Sequence, residues 1–200
     1  VGWLSVALVD AVMYLHHRFE QAICNLSPDN ILIRHDKHGV PRPMLLDLCQ
    51  LVGFRDTVRL STSGNAYIAP EAVQAQSVGP HSDVYSIGTL LYEMLAGQLP
   101  MGAQHSHSVE GWHAGVVEPV SLARIRPDLN QSLIAVTEQA TQRSVSERIP
   151  NVQRLGRELV SIFGVPPPEK KRFPIELNAA ILGLLGGLVI LLIAMVAILV

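Results

Sequence analysis

Residues 23–47 read Ile23-Cys24-Asn25-Leu26-Ser27-Pro28-Asp29-Asn30-Ile31-Leu32-Ile33-Arg34-His35-Asp36-Lys37-His38-Gly39-Val40-Pro41-Arg42-Pro43-Met44-Leu45-Leu46-Asp47, and this stretch decides the fold. Two short apolar runs, 31–34 and 43–47, flank the turn-rich set His35, Asp36, Lys37, His38 and Gly39, which predicts a small β-hairpin. Taken alone, Asn30 reads as a turn residue before a strand and Asp47 as a solvated loop acid.

Outward from the hairpin the pattern turns helical. Leu4, Leu8, Ala11, Val12 and Leu15 share one stripe at helical spacing before it. After it, residues 84–95 are apolar on nearly every face and are closed by Gly97 and Pro100, which predicts a helix buried in mid-domain. Leu133, Ile134, Val136 and Ala140 make a further stripe, and Val152, Leu155, Leu159 and Ile162 another; most of the remainder is expected to be helical too. Alone, Asp83 reads as an acid at a helix N-terminus and Arg148 as a solvated surface residue.

The 200 residues are 48% hydrophobic with a formal net charge of −2, enough for one sizeable core and without a basic, aromatic-interleaved patch for nucleic acid. Cys24 and Cys49 form neither a CxxC pair nor a disulfide framework, in keeping with a reducing compartment. Residues 179–200 hold no charged side chain; at 1.5 Å per residue they span roughly 33 Å, so a single transmembrane helix is expected. Lys170, Lys171 and Arg172 precede it and place the soluble domain in the cytoplasm by the positive-inside rule, at a cell membrane crossed once. Pro166, Pro167 and Pro168 stiffen a linker over 165–178, leaving 1–164 as the domain. Gly183 and Gly187 stand in GxxxG spacing, which would let two such helices dimerise. His105 and His107, with His113 nearby, have no fourth ligand or cysteine pair beside them and read as a loop cluster rather than a metal site.

Over roughly residues 4–163 the sequence resembles the serine/threonine protein kinases. Residues 25–32 resemble the catalytic loop, Asp47-Leu48-Cys49 the metal-binding D-F-G, and Ala69-Pro70-Glu71 the A-P-E motif, in the family's order. Residues 82–88 are similar to the start of the family's buried central helix, and Arg148 falls where an arginine pairs with the A-P-E glutamate. The resemblance implies a mainly α fold: a kinase-like C-terminal lobe with a small β-hairpin, followed by the membrane helix. The kinase–juxtamembrane–membrane order resembles bacterial receptor-type kinases. The family's glycine-rich loop, lysine and helix glutamate would precede Val1, so the N-terminal lobe is expected to be missing from this chain, whose opening within a helix reads as a fragment's edge.

The resemblance also assigns roles. Asn30 and Asp47 would hold Mg2+ through hard oxygen ligands and, with Leu32 as apolar floor, would contact ATP. Asp83 would hold the catalytic loop's backbone, and Glu71 and Arg148 would form a largely buried ion pair. Departures are as informative. Asn25 stands at the proton-accepting aspartate, and a neutral amide can orient a hydroxyl but cannot take its proton. H-R-D has become Ile23-Cys24-Asn25, so the arginine that receives an activation-loop phosphate is missing, although Thr57, Ser61, Thr62 and Ser63 remain modifiable. Ser27 replaces the loop's lysine, Cys49 the D-F-G glycine, and no threonine braces the catalytic residues from the segment 63–67. The reading is a membrane-anchored, catalytically impaired pseudokinase serving as a binding or regulatory module for protein partners. The alternative is a fragment of a divergent serine/threonine receptor kinase transferring phosphate from ATP to protein.

Overall fold

In chain order the elements are α1 (Gly2–Phe19), β1 (Gln21–Ala22), β2 (Ile31–His35), β3 (Pro41–Leu45), β4 (Val52–Gly53), α2 (Pro70–Val73), α3 (Pro80–Ala96), α4 (Val109–His113), α5 (Leu122–Ile125), α6 (Gln131–Ala140) and α7 (Val152–Phe163). They come from a computed structural model that describes residues 1–61, 65–102 and 109–165. The described architecture is mainly α with two small antiparallel sheets, β1–β4 and β2–β3.

Helix α3 is the axis of the core. Val84, Tyr85, Ile87, Leu90, Leu91 and Tyr92 are all buried, and each fully buried side chain of this size contributes about 1.5–3 kcal/mol. The hydroxyls that share this interior are satisfied: Ser86 donates to the Tyr67 carbonyl at 2.8 Å and Thr89 to the Tyr85 carbonyl at 3.0 Å. Pro80 opens the helix, where a missing N–H costs nothing, and Gly97 at φ +71° closes it by donating to the Glu93 carbonyl at 2.8 Å. Helix α6 crosses α3 at Gly88, where an added Cβ would stand 2.7 Å from the Ala140 Cβ and 3.0 Å from its carbonyl carbon.

On the other flank α1 packs between α3 and α7. Its buried set, which includes Val6, Leu8, Val9, Val12, Leu15 and His16, is broader than one stripe, and Leu4 and Ala11 are only half-buried. Asn151 caps α7 by accepting from the Arg154 N–H at 2.9 Å, and Gly164 at φ +62° ends it. The expected hairpin forms as β2–β3, in register Ile31↔Leu45 through His35↔Pro41. Residues 98–102 and 109–130 depart from the helical expectation, since α4 and α5 are single short turns among loops.

Among the described residues no helix is long and apolar enough to cross a membrane. The expected membrane helix 179–200, Gly183 and Gly187, the linker beyond Val165, Thr62 and Ser63, and His105 and His107 lie outside the described residues.

Candidate functional site

The loop between β1 and β2 takes its shape from a carboxylate 60 positions away. Asp83, fully buried in the first turn of α3, accepts the Ile23 N–H on Oδ2 at 2.8 Å and the Cys24 N–H on Oδ1 at 2.8 Å. His16 Nε2 from α1 adds a third contact to Oδ2 at 2.7 Å, and its ring meets Phe54 edge-on, with centroids 5.2 Å apart. Beyond these anchors the Asn25 N–H donates to the Ile23 carbonyl at 2.7 Å, closing a γ-turn around Cys24 at φ +57°. A non-glycine residue in that region costs on the order of 1–3 kcal/mol and persists only where its surroundings enforce it. Asp83, holding the two preceding N–H groups, does so here.

The turn presents Asn25 half-buried. Its Oδ1 accepts from Asn65 Nδ2 at 3.1 Å, and its backbone carbonyl accepts from Asn30 Nδ2 at 2.9 Å. Asn65 is itself fixed, since its Oδ1 takes the Tyr67 N–H at 2.9 Å and its carbonyl lies 3.0 Å from His113 Nε2. Burial holds the His113 imidazole below its usual pKa, which keeps the ring neutral with Nε2–H as donor to that carbonyl. Tyr67 closes the row by donating to Glu93 at 2.5 Å; burial first and this carboxylate second push its phenol up.

A backbone hydrogen bond ties Asn30 to the residue before Asp47. The Leu46 N–H donates to the Asn30 carbonyl at 2.8 Å, which seats the next residue, Asp47, at the mouth of the loop. Asn30 Nδ2 is committed to the Asn25 carbonyl, and among the described residues its Oδ1 has no hydrogen bond; Asp47 is exposed, at φ +50°, and makes no side-chain cap. Two unspent oxygen donors fit Mg2+, which takes one or two protein ligands and completes its shell with phosphate oxygens and water. No group of three or more His, Cys, Asp and Glu side chains among the described residues could hold a metal without such help. Leu32 is 47% exposed and paired across the hairpin with Met44 at 42%, so this apolar surface is open.

The Cys24 side chain is packed among apolar groups. It packs with Ala22, Ile68, Ala72 and Val78, against which Phe54, Val58 and Leu60 lean. Burial, then the charges of Asp83 and Glu71, push its thiol far up, which makes it inert. The segment 52–60 is therefore held by apolar packing, with no cation at this position. Cys49 is exposed and does not require positive φ, so its side chain is accommodated where it stands.

Glu71 and Arg148 meet in the interior with every donor of the guanidinium used. Nη1 donates to Glu71 Oε1 at 2.7 Å and to the His81 carbonyl at 2.9 Å; Nη2 donates to Glu71 Oε2 at 3.0 Å and to the Arg143 carbonyl at 3.1 Å; Nε donates to the Gln142 carbonyl at 2.8 Å. Ser82 Oγ adds a hydrogen bond to Glu71 at 2.8 Å. Burial alone would raise the Glu71 carboxyl, but the Arg148 fork outweighs it and the net direction is downward. Only such full satisfaction makes a buried pair tolerable.

The sequence matches the protein kinase domain over residues 3–156. This chain belongs to the serine/threonine protein kinase family. It is 31% identical to serine/threonine-protein kinase PknB of Mycobacterium tuberculosis over 103 residues, 52% of this chain and 16% of that protein. It is 32% identical to protein kinase C epsilon type of Rattus norvegicus over 128 residues, 62% of this chain and 17% of that protein. A G-type lectin S-receptor-like serine/threonine-protein kinase of Arabidopsis thaliana is 31% identical over 108 residues. The aligned region is thus about one sixth of the first two relatives' length.

Within this kinase lobe the seven residues picked from sequence fall into two groups. Asn25 and Asn30 are hydrogen-bonded, Asp47 follows the Leu46–Asn30 hydrogen bond and Leu32 lies exposed on the hairpin, while Asp83 holds the loop from behind and Glu71–Arg148 ties α2 to the segment before α7. The structure adds His16 and Asn65, and places His113, expected in a loop cluster, buried at the end of α4. His16 stood on the Val9–Val12–His16 spacing of α1, a histidine on an apolar stripe, which was its signal. Asn65 supplies the side-chain contact to position 25 that the absent threonine was expected to leave empty. Neither Asn65 nor His113 had a local signal, because their contacts are set by tertiary packing.

Proposed function

We propose that this kinase-family chain is a membrane-anchored pseudokinase lobe, a module that holds or regulates protein partners without transferring phosphate. One observation carries the reading: the position that should accept the substrate's proton is an amide, Asn25, fastened by Asn65 in a strained and fully enforced turn. Phosphoryl transfer is mostly positioning and charge neutralisation, with a carboxylate taking the hydroxyl proton. Here Asp83 keeps the loop's backbone in place, but no group at residue 25 can hold that proton at physiological pH. The neutral Ser27 and the apolar seat of Cys24 remove two further positive charges from the neighbourhood, one that would steady the transferred phosphate and one that would receive a regulatory phosphate.

Asn30 Oδ1 and Asp47 would hold Mg2+ between ATP phosphates, with Leu32 and Met44 beneath the base. The metal would supply charge neutralisation on the phosphates; the chain's own contribution is to orient them. The side-chain oxygens of Asn30 and Asp47 favour a second reading, a fragment of a divergent serine/threonine kinase. The membrane reading is supported by the charge-free stretch 179–200 with Lys170, Lys171 and Arg172 before it, which sets the domain on the cytoplasmic face.

The deciding experiment uses the protein with its native flanking regions. The pseudokinase reading expects no Mg2+-dependent phosphorylation above that of an Asp47→Ala control, together with Mg2+-dependent nucleotide binding that the same substitution weakens. Phosphorylation of a protein substrate that Asp47→Ala abolishes would establish the kinase reading instead.

A further inference from the structure

The tip of the β2–β3 hairpin concentrates positive charge that the fold does not use. Arg34 and Arg42 stand directly opposite each other in the register, a like-charge cross-strand pair that destabilises a ribbon. Asp36 relieves only one of them. Its Oδ2 accepts from Arg42 Nε at 3.2 Å and Nη2 at 3.1 Å, while its Oδ1 takes the His38 and Val40 N–H groups at 2.8 and 3.1 Å. Arg42 is further occupied by the Trp3 ring, 5.3 Å from its guanidinium carbon. Arg34 and Lys37 have no ion pair with a described residue, and with His35 and His38 they are exposed.

The same hairpin adjoins the point where the chain leaves the domain. Phe163, the last residue of α7, packs on Gly2, where an added Cβ would lie 2.7 Å from its ring. The next residue, Trp3, donates Nε1–H to the Pro41 carbonyl at 3.0 Å. Chain exit and hairpin thus meet through two consecutive residues of α1.

We infer that the hairpin, through Arg34 and Lys37, docks on an anionic lipid surface. The inference rests on the reading of residues 179–200 as a membrane-spanning helix. Fourteen residues, 165–178, separate Gly164 from that stretch and reach at most about 50 Å when fully extended. Two uncompensated cations are too few to bind a membrane alone, because each gains only about fivefold in partitioning. Tethered this closely, the same two act at an effective concentration on the order of millimolar, which makes docking an intramolecular step. Lys170, Lys171 and Arg172 carry the same sign in the connecting sequence.

The test reconstitutes the full chain into nanodiscs of phosphatidylcholine alone and of phosphatidylcholine with phosphatidylserine, and follows amide hydrogen exchange at residues 34–42. Docking predicts slower exchange with the anionic lipid only, reversed by high salt and lost in Arg34→Ser/Lys37→Ser, whose docking constant falls about 25-fold. An unchanged melting temperature for the double variant shows that its fold is intact. Insertion into neutral lipid with exchange indifferent to phosphatidylserine overturns docking and leaves the anchor standing. Failure to insert into neutral lipid overturns the anchor; salt-sensitive sedimentation with anionic vesicles then decides, and equal binding by wild type and the double variant overturns docking. Protection by soluble polyglutamate but not by anionic lipid assigns the surface to an acidic protein and likewise overturns it.

Discussion

The loop 23–30 has two sides, and they differ in burial. Its rear, toward α3, keeps a buried carboxylate with each oxygen paired, and nearby the Glu71–Arg148 pair keeps all five guanidinium donors satisfied. Its front, toward the cleft, has the half-buried amide of residue 25. The difference follows from desolvation. A buried charge that loses its partner endangers the whole fold, whereas a charge at a solvated mouth can be exchanged for a neutral group at little cost to stability.

The largest expected effect breaks the rear. Arg148→Ala leaves Glu71 buried without its partner and should lose about 3–5 kcal/mol, read by denaturant unfolding of the full chain in detergent. The pH dependence of wild type carries the same signature. With its folded pKa depressed, Glu71 contributes stability above its unfolded value of about 4.3, and this is lost as pH falls through the folded pKa. Glu71→Gln should flatten that acid limb, and an unchanged limb would place the acid sensitivity elsewhere. Next, Asp83→Asn turns one acceptor into a donor facing N–H groups. About 2–3 kcal/mol should be lost, with the Ile23 and Cys24 amides exchanging faster by hydrogen-exchange mass spectrometry.

Gly88→Ala calibrates these numbers away from both sides of the loop. Alanine is the better helix former by up to about 1 kcal/mol, yet its methyl meets the Ala140 carbonyl carbon, so a net loss of about 1–2 kcal/mol is expected in the melting curve. The smallest effect sharpens the front. Asn25→Asp keeps the acceptor for Asn65 Nδ2 and should change stability by no more than about 0.5 kcal/mol. If Asn25→Asp destabilised as much as Asp83→Asn, the contrast between the two sides would collapse.

The sequence was legible where one residue type has one physical use. The hairpin announced itself through apolar runs around a polar turn, and α3 through apolar residues on all faces ended by a glycine. The roles of Asp83 and the Glu71–Arg148 pair come from the family resemblance, since alone Asp83 reads as an acid at a helix N-terminus and Arg148 as a solvated surface residue. What escaped was set by tertiary geometry. Residues 98–102 and 109–130 looked helical in composition, but their apolar residues, such as Trp112 and Val117, fill a second core cluster from short turns instead. The β1–β4 pair is two residues long on each side, too short to leave an alternating pattern. Asn65 could be read only once the chain had folded back on residue 25, and the exposed charge of Arg34 only once Asp36 had chosen Arg42.

The γ-turn at Cys24 carries a consequence for residue 25. Its form is stored in a carboxylate on another helix, which holds backbone N–H groups and so places no demand on the side chains at residues 23–25. The turn is therefore compatible with either an amide or an acid at residue 25, because neither is needed to hold its shape.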